Sequence, residues 1–114
     1  MIIVIPGRET LEIKHVIFDY NGTLAIDGKL INGVKPKINQ LAEEVSFHVI
    51  TADTYGTVTN ELDGVNCTLV NLSTSTEFTC KTDYLHHLGA QHTLSVGNGF
   101  NDKALLQQSR LGIA

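Results

Sequence analysis

The chain lacks a long apolar run. Its N-terminal stretch Met1 to Ile5 is far too short for a signal-peptide core or a membrane span, so the protein reads as soluble and cytoplasmic, with no membrane partner. Positive charge is scarce as well: eight Lys and Arg against twelve Asp and Glu leave a net charge of −4, which offers no basic footprint for nucleic acid. A phosphorylated substrate would have to be held by local positive charge or by a metal. The two cysteines, Cys67 and Cys80, are not spaced as CxxC, which argues for reduced thiols, although their spacing also permits a single bridge. No zinc-type histidine pair is visible: His86 and His87 are adjacent and on a helix point about 100° apart, while His15, His48 and His92 flank or sit in strands. Internal repeats, low-complexity tracts and interdomain linkers are absent.

What remains is an ordinary globular composition, 42% apolar and 18% charged, in a length of 114 residues that suits one domain, 1–114. A chain of this size hides roughly two-thirds of its unfolded surface, enough for a single core without staples. The stretch that organises it is His15 to Leu24, HVIFDYNGTL. Val16-Ile17-Phe18 is a buried-strand signal that ends on Asp19 and a Gly22-Thr23 turn, placing a carboxylate at a strand's C-terminal edge. In open α/β sheets that edge is where ligands bind.

Before this strand, Met1 to Ile5 and Thr10 to Ile13 read as a β-hairpin around Pro6-Gly7. After it, Leu24 to Ile26 and Lys29 to Ile31 form a second small hairpin around Asp27-Gly28, a flap over the strand edge. Helical spacing of Ile38, Leu41, Ala42 and Val45 follows, with Pro36 in the first turn. Phe47 to Ile50 is a second buried strand ending on Thr51, then comes a helix over Asp53 to Leu62 closed by Gly64, and a third strand over Cys67 to Leu72. A Ser73 to Thr76 loop leads to a helix over Glu77 to Leu88, with Tyr84, Leu85 and Leu88 as core positions. The strand His92 to Val96, the Gly97-Asn98-Gly99 turn, a helix from about Asn101 to Gln108 and a last buried strand, Leu111 to Ala114, complete the chain. Strands alternating with helices predict a mainly parallel sheet covered on both faces, a three-layer α/β sandwich with the N-terminal hairpin at one edge. Ending on a buried strand suggests either a truncated chain or a sheet completed by association.

The strand exits present Asp19, Thr51, the Ser73 to Thr76 loop, and Asn98 with Asn101 and Asp102, while Lys81 lies on the intervening helix. A carboxylate, a hydroxyl, an ammonium and further oxygen ligands for a hard cation are what phosphoryl transfer needs, because its work is positioning and charge neutralisation. Taken singly, each residue has a plainer reading. Asp19 can cap its turn, Thr51 can be a turn hydroxyl, Lys81 can be a solvated helix lysine, and Asp53 and Asp102 can be helix N-caps. Phe100 is better read as a hydrophobic plug than as a substrate stacker.

Together, four motifs in order resemble the haloacid dehalogenase superfamily, most closely the phosphorylation domain of P-type ATPases in free-standing form. Asp19-Tyr20-Asn21-Gly22-Thr23 matches the first motif, D-x-D/T-G-T. The run ending in Thr51-Ala52-Asp53 matches the second, Lys81 corresponds to the third, and Gly97-Asn98-Gly99-Phe100-Asn101-Asp102 corresponds to the fourth, G-D-G-x-N-D.

The resemblance implies a Rossmann-type fold and Mg²⁺-dependent transfer or hydrolysis through an aspartyl-phosphate on Asp19. It makes Asp19, Asn21, Thr51 and Lys81 catalytic, and Gly22, Thr23, Thr51, Ala52 and Lys81 phosphate-binding. The metal ligands would be Asp19, the Asn21 carbonyl, Asn98 and Asp102. Between Thr23 and Thr51 there is no room for a cap or a nucleotide-binding insert, which implies an open site, a large phosphorylated substrate or closure by a homo-oligomer, and no tight ATP binding.

Two positions depart from the pattern. Asn21 replaces the second Asp that serves phosphatases as general acid, so turnover should be slow, as with the long-lived phosphoenzyme of the ATPases. Asn98 replaces a metal-binding Asp, which weakens attraction for the cation. A catalytically impaired binding or regulatory module is the alternative these changes raise. A receiver-like switch is a third reading, disfavoured by the GNGFND turn.

Overall fold

The computed structural model describes residues 1–7, 9–20, 22–52, 57–74, 77–78, 80–97 and 102–113. In chain order the elements are β1 (Ile2–Val4), β2 (Thr10–Glu12), β3 (His15–Asp19), β4 (Ala25–Ile26), β5 (Lys29–Leu30), α1 (Val34–Leu41), β6 (Ser46–Thr51), α2 (Thr57–Glu61), β7 (Thr68–Asn71) and α3 (Lys81–Leu88). A 3₁₀ turn at Ala90–His92, then β8 (Thr93–Val96), α4 (Lys103–Gln108) and β9 (Leu111–Ile113) follow.

Five strands form one parallel sheet in the order β7-β6-β3-β8-β9. The first of them along the chain is thus the central one. From β3 the chain builds outward through β6 and β7, then returns to the other flank of β3 for β8 and β9. Strand order reverses between β3 and β8, and a crevice opens at such a switch point outside the C-terminal strand ends. The register brings Asp19 opposite Ile50, Thr51 opposite Asn71, and Val96 opposite Ile113, so these strand ends share one edge.

Alternation along the strands divides the core into two faces. Val16 of β3 and Phe47 and Val49 of β6 pack with Ile38 of α1, Val58 of α2 and the hairpin residues Leu11 and Ile13. Ile17 and Ile50 point the other way, against Tyr84 and Leu85 of α3 and Leu105 of α4. The result is a mixed α/β fold with helices on both faces of a parallel sheet. No described helix is long and apolar enough to cross a membrane.

Several boundaries differ from the sequence expectation. The helix expected from Glu77 starts at Lys81, because Cys80 is extended (φ −151°, ψ 168°) and the described residues Glu77 and Phe78 are not helical. The expected Asp53–Leu62 helix is observed as α2, Thr57–Glu61; residues 53–56 lie outside the described residues, as does Thr76 at the end of the expected Ser73 to Thr76 loop. The N-terminal hairpin does not extend the main sheet: β1 and β2 form their own antiparallel pair, anchored by the Met1 ammonium donating to the Ile13 carbonyl at 3.0 Å. Nor is the last strand buried. β9 lies at the sheet edge, paired with β8, and its Ile113 is 44% exposed.

Candidate functional site

The Asp19 carboxylate has the parity of Ile17, so it leaves the end of β3 toward the α3/α4 face. Lys81 is the first residue of α3, three and four positions before Tyr84 and Leu85, and therefore lies on the helix face that packs on the sheet. Phe78 holds the approach to this helix edge-on against Tyr84 (ring centroids 4.9 Å apart) and His87 (5.2 Å). A lysine that no local sequence pattern fixes is thereby aimed at the strand edge.

Its ammonium joins two carboxylates. Lys81 Nζ donates to Asp19 Oδ1 at 3.1 Å and to Asp102 Oδ1. Asp102, between β8 and α4, is buried, and its side chain makes no capping hydrogen bond to α4; its carboxylate turns to Lys81 instead. Gly97, at the end of β8, makes this placement feasible. A Cβ there would fall 2.7 Å from the Asp102 Cβ and Oδ2, so a side chain at 97 and the observed Asp102 are mutually exclusive.

Burial raises the Asp19 pKa, outweighing the lowering by Lys81, and the nearby Asp102 charge raises it further. For Lys81, burial opposes the charge, but hydrogen bonds and charges from the two carboxylates prevail and hold its pKa above the usual lysine value. Lys81 is therefore an ammonium at neutral pH. Two carboxylates and one ammonium form a cluster that is short of positive charge. Such hard oxygen donors fit Mg²⁺, which takes one or two protein carboxylates and keeps the rest of its shell for water and phosphate. Among the described residues no group of three or more His, Cys, Asp or Glu that could hold a metal ion converges; Asp19 and Asp102 are the two carboxylates that Lys81 joins.

Around this cluster stand the other residues expected from sequence. Thr51 is buried at the end of β6, one residue beyond the row that pairs Asp19 with Ile50, and Ala52 beside it is exposed. The loop after Asp19 wraps on the Tyr20 carbonyl, which accepts from Leu24 N at 2.9 Å and Ala25 N at 3.0 Å. Gly22 N–H donates to the Ala25 carbonyl at 2.8 Å, and the Thr23 hydroxyl is buried without a hydrogen-bond partner among the described residues. Asn21 and Asn98, expected as metal ligands, lie outside the described residues, as do Asp53, Phe100 and Asn101.

Two features went unread in the sequence. Tyr20, fully buried, donates its hydroxyl to the Gly28 carbonyl at 2.9 Å and so ties the β4–β5 flap down; the flap turns through Asp27 (φ 51°) and Gly28 (φ 82°), the positive-φ pair its dipeptide predicts. A chain of polar side chains also crosses the α3 face, with His15 Nδ1 3.1 Å from His48 Nε2 and His48 Nδ1 2.7 Å from the Tyr84 hydroxyl. A tyrosine directly after a strand-ending carboxylate could have flagged the first. Nothing local flags the second.

No family model matches the chain. The uncharacterized protein MJ0072 of Methanocaldococcus jannaschii is 41% identical over 39 residues, 34% of this chain and 89% of that protein. The chain belongs to that protein's family. The relative's name states no activity, so the chemistry rests on the cluster itself. Cys67 and Cys80 are both free thiols.

Proposed function

We propose that this chain is a capless domain of the haloacid dehalogenase type that accepts a phosphoryl group on Asp19 and releases it slowly. The observation that carries the reading is the Lys81 ammonium joining Asp19 and Asp102 beside the switch point of a parallel sheet. An Asp19 carboxylate oxygen attacks phosphorus, the bond from phosphorus to the leaving oxygen breaks, and the electron pair departs with that oxygen. Lys81 offsets charge on the equatorial oxygens, and Asp102 keeps the ammonium in place. Asp19 and Asp102 would hold Mg²⁺, which when bound supplies the neutralisation that lets two anions meet. The side chain of Asn21 has no proton to transfer as a general acid, so donors whose leaving groups depart unprotonated, acyl and aryl phosphates, should outperform alkyl phosphates. The same lack slows attack by water on the phosphorylated form.

A second reading, a binding or regulatory module without turnover, is favoured by the amides at Asn21 and Asn98. Intact mass after brief incubation with acetyl phosphate and Mg²⁺, quenched in acid, separates the two. The proposal expects a phosphoryl adduct in the parent and none in Asp19→Asn. Parent protein that neither carries the adduct nor releases phosphate would leave the module reading standing. Asn21→Asp should then shorten the adduct's lifetime by supplying the missing acid and base.

A further inference from the structure

A groove of about 470 Å³ runs between α1 and the sheet, on the face opposite Lys81. That volume lies within the range of small-molecule sites. Its floor is the ring pair Phe18 and Phe47, stacked with centroids 5.9 Å apart and planes 12° from parallel. Val34, Ile38 and Leu41 of α1 form one wall, and Leu24, the residue before β4, also lines the groove. Phe18, Val34 and Leu41 are only half-buried, so their apolar surface is open to whatever enters.

The lining also has a definite charge. Among the described residues Lys37 is its one ionisable lining group, beside the neutral Asn32, and no described carboxylate lines the groove although the chain as a whole carries −4. Two further concave sites differ in this respect. The one at Asp27, Lys29 and Glu61 mixes both signs, and the one at Glu9, Glu12 and Arg110 has its guanidinium engaged by Glu9. An apolar trough with a single ammonium at its lip is complementary to an apolar body bearing one negative charge.

We propose that this groove binds an apolar carboxylic acid, its hydrocarbon lying on Phe18 and Phe47 and its carboxylate at Lys37. The site is independent of the chemistry at Asp19, although two of its lining residues, Phe18 and Leu24, flank the Asp19–Thr23 loop.

The test is calorimetric titration of the full chain with sodium decanoate, and with decanol as the uncharged counterpart. Decanoate should bind saturably with one site per chain and about fivefold more tightly than decanol, the size of effect expected for a partly exposed ion pair. Lys37→Gln, at an exposed position where folding is insensitive, should erase that fivefold difference by weakening decanoate alone. Val34→Trp, which fills the groove, should abolish both, with thermal unfolding confirming a folded variant. Asp19→Asn should bind as the parent does, so failure of the phosphoryl-transfer reading leaves this result untouched. Absence of saturable binding up to millimolar decanoate overturns the proposal. Equal affinities for acid and alcohol, or a Lys37→Gln variant that still prefers the acid, overturn it too.

Discussion

Stability should fall steeply as the solution is acidified from pH 7 to pH 5, and His48 should be the main cause. Its ring is buried between His15 and Tyr84, and burial, reinforced by the charges of His15 and His87, lowers its pKa from 6.5 to about 4. In the unfolded chain the same ring titrates near 6.5. Between these values the unfolded state binds the extra proton, so stability is fully present above pH 6.5 and is lost as pH falls toward 4. A difference of about 2.5 units at 1.36 kcal/mol each gives about 3 kcal/mol in all, of which about 2 kcal/mol falls between pH 7 and pH 5. His15, also lowered by burial and then by Lys14 and His92, acts in the same direction.

Urea unfolding followed by far-UV circular dichroism at half-unit pH steps measures this directly. The parent should lose about 2 kcal/mol over that interval. His48→Gln, which can still meet Tyr84, should be less stable at pH 7 by about 1 kcal/mol and much flatter with pH. A parent whose unfolding free energy is level from pH 7 to pH 5, or a variant that keeps the parent's slope, would refute the reasoning, because either outcome means that His48 is not held neutral by its surroundings.

Other consequences follow from the same contacts. Gly97→Ala should displace Asp102, lowering stability by about 1–3 kcal/mol as an overpacking change and reducing the acetyl-phosphate adduct, both measurable on one preparation. Gly28→Ala forces a side chain into a positive-φ turn and should cost about 1 kcal/mol in chemical unfolding, with faster amide exchange at Ala25 and Leu30 as the flap loosens. Under the proposed function, phosphoryl donors compared at fixed Mg²⁺ should show rates that climb steeply as the leaving group becomes more acidic, and Asn21→Asp should flatten that dependence.

How much was legible in sequence depended on how local each cause is. The β-branched and aromatic runs Val16 to Phe18 and Phe47 to Ile50 announced two adjacent parallel strands because a doubly covered strand must be apolar on both faces. The Asp27-Gly28 turn was legible because few dipeptides adopt two positive φ angles in succession. Helix starts were not, since Glu77 and Phe78 suit a helix by composition but an extended Cys80 stops the helix short of them. Histidine partners were invisible for a different reason. His48 meets residues 33 and 36 positions away in sequence, and only the packing of α3 on β6 determines that they touch.

Lys81 lies between these extremes, and its two carboxylates separate what it does for stability from what it does for chemistry. The Asp102 side chain is fully buried whereas that of Asp19 retains 16% exposure, so solvent screens the Lys81–Asp19 contact more than the Lys81–Asp102 contact. Lys81→Met takes the ammonium away from a buried carboxylate and should cost about 1.5–3 kcal/mol. Adding Asp102→Asn removes the charge that needed it, so the double variant should recover part of the loss, whereas adding Asp19→Asn should recover less. The phosphoryl adduct should follow the opposite partner: absent in Asp19→Asn whatever stands at 102, and weakened in Asp102→Asn only as far as Lys81 swings away. If the coupling measured by these cycles were larger for Asp19 than for Asp102, Lys81 would be anchored by the proposed nucleophile itself, and Asp102 would lose its part in positioning the ammonium.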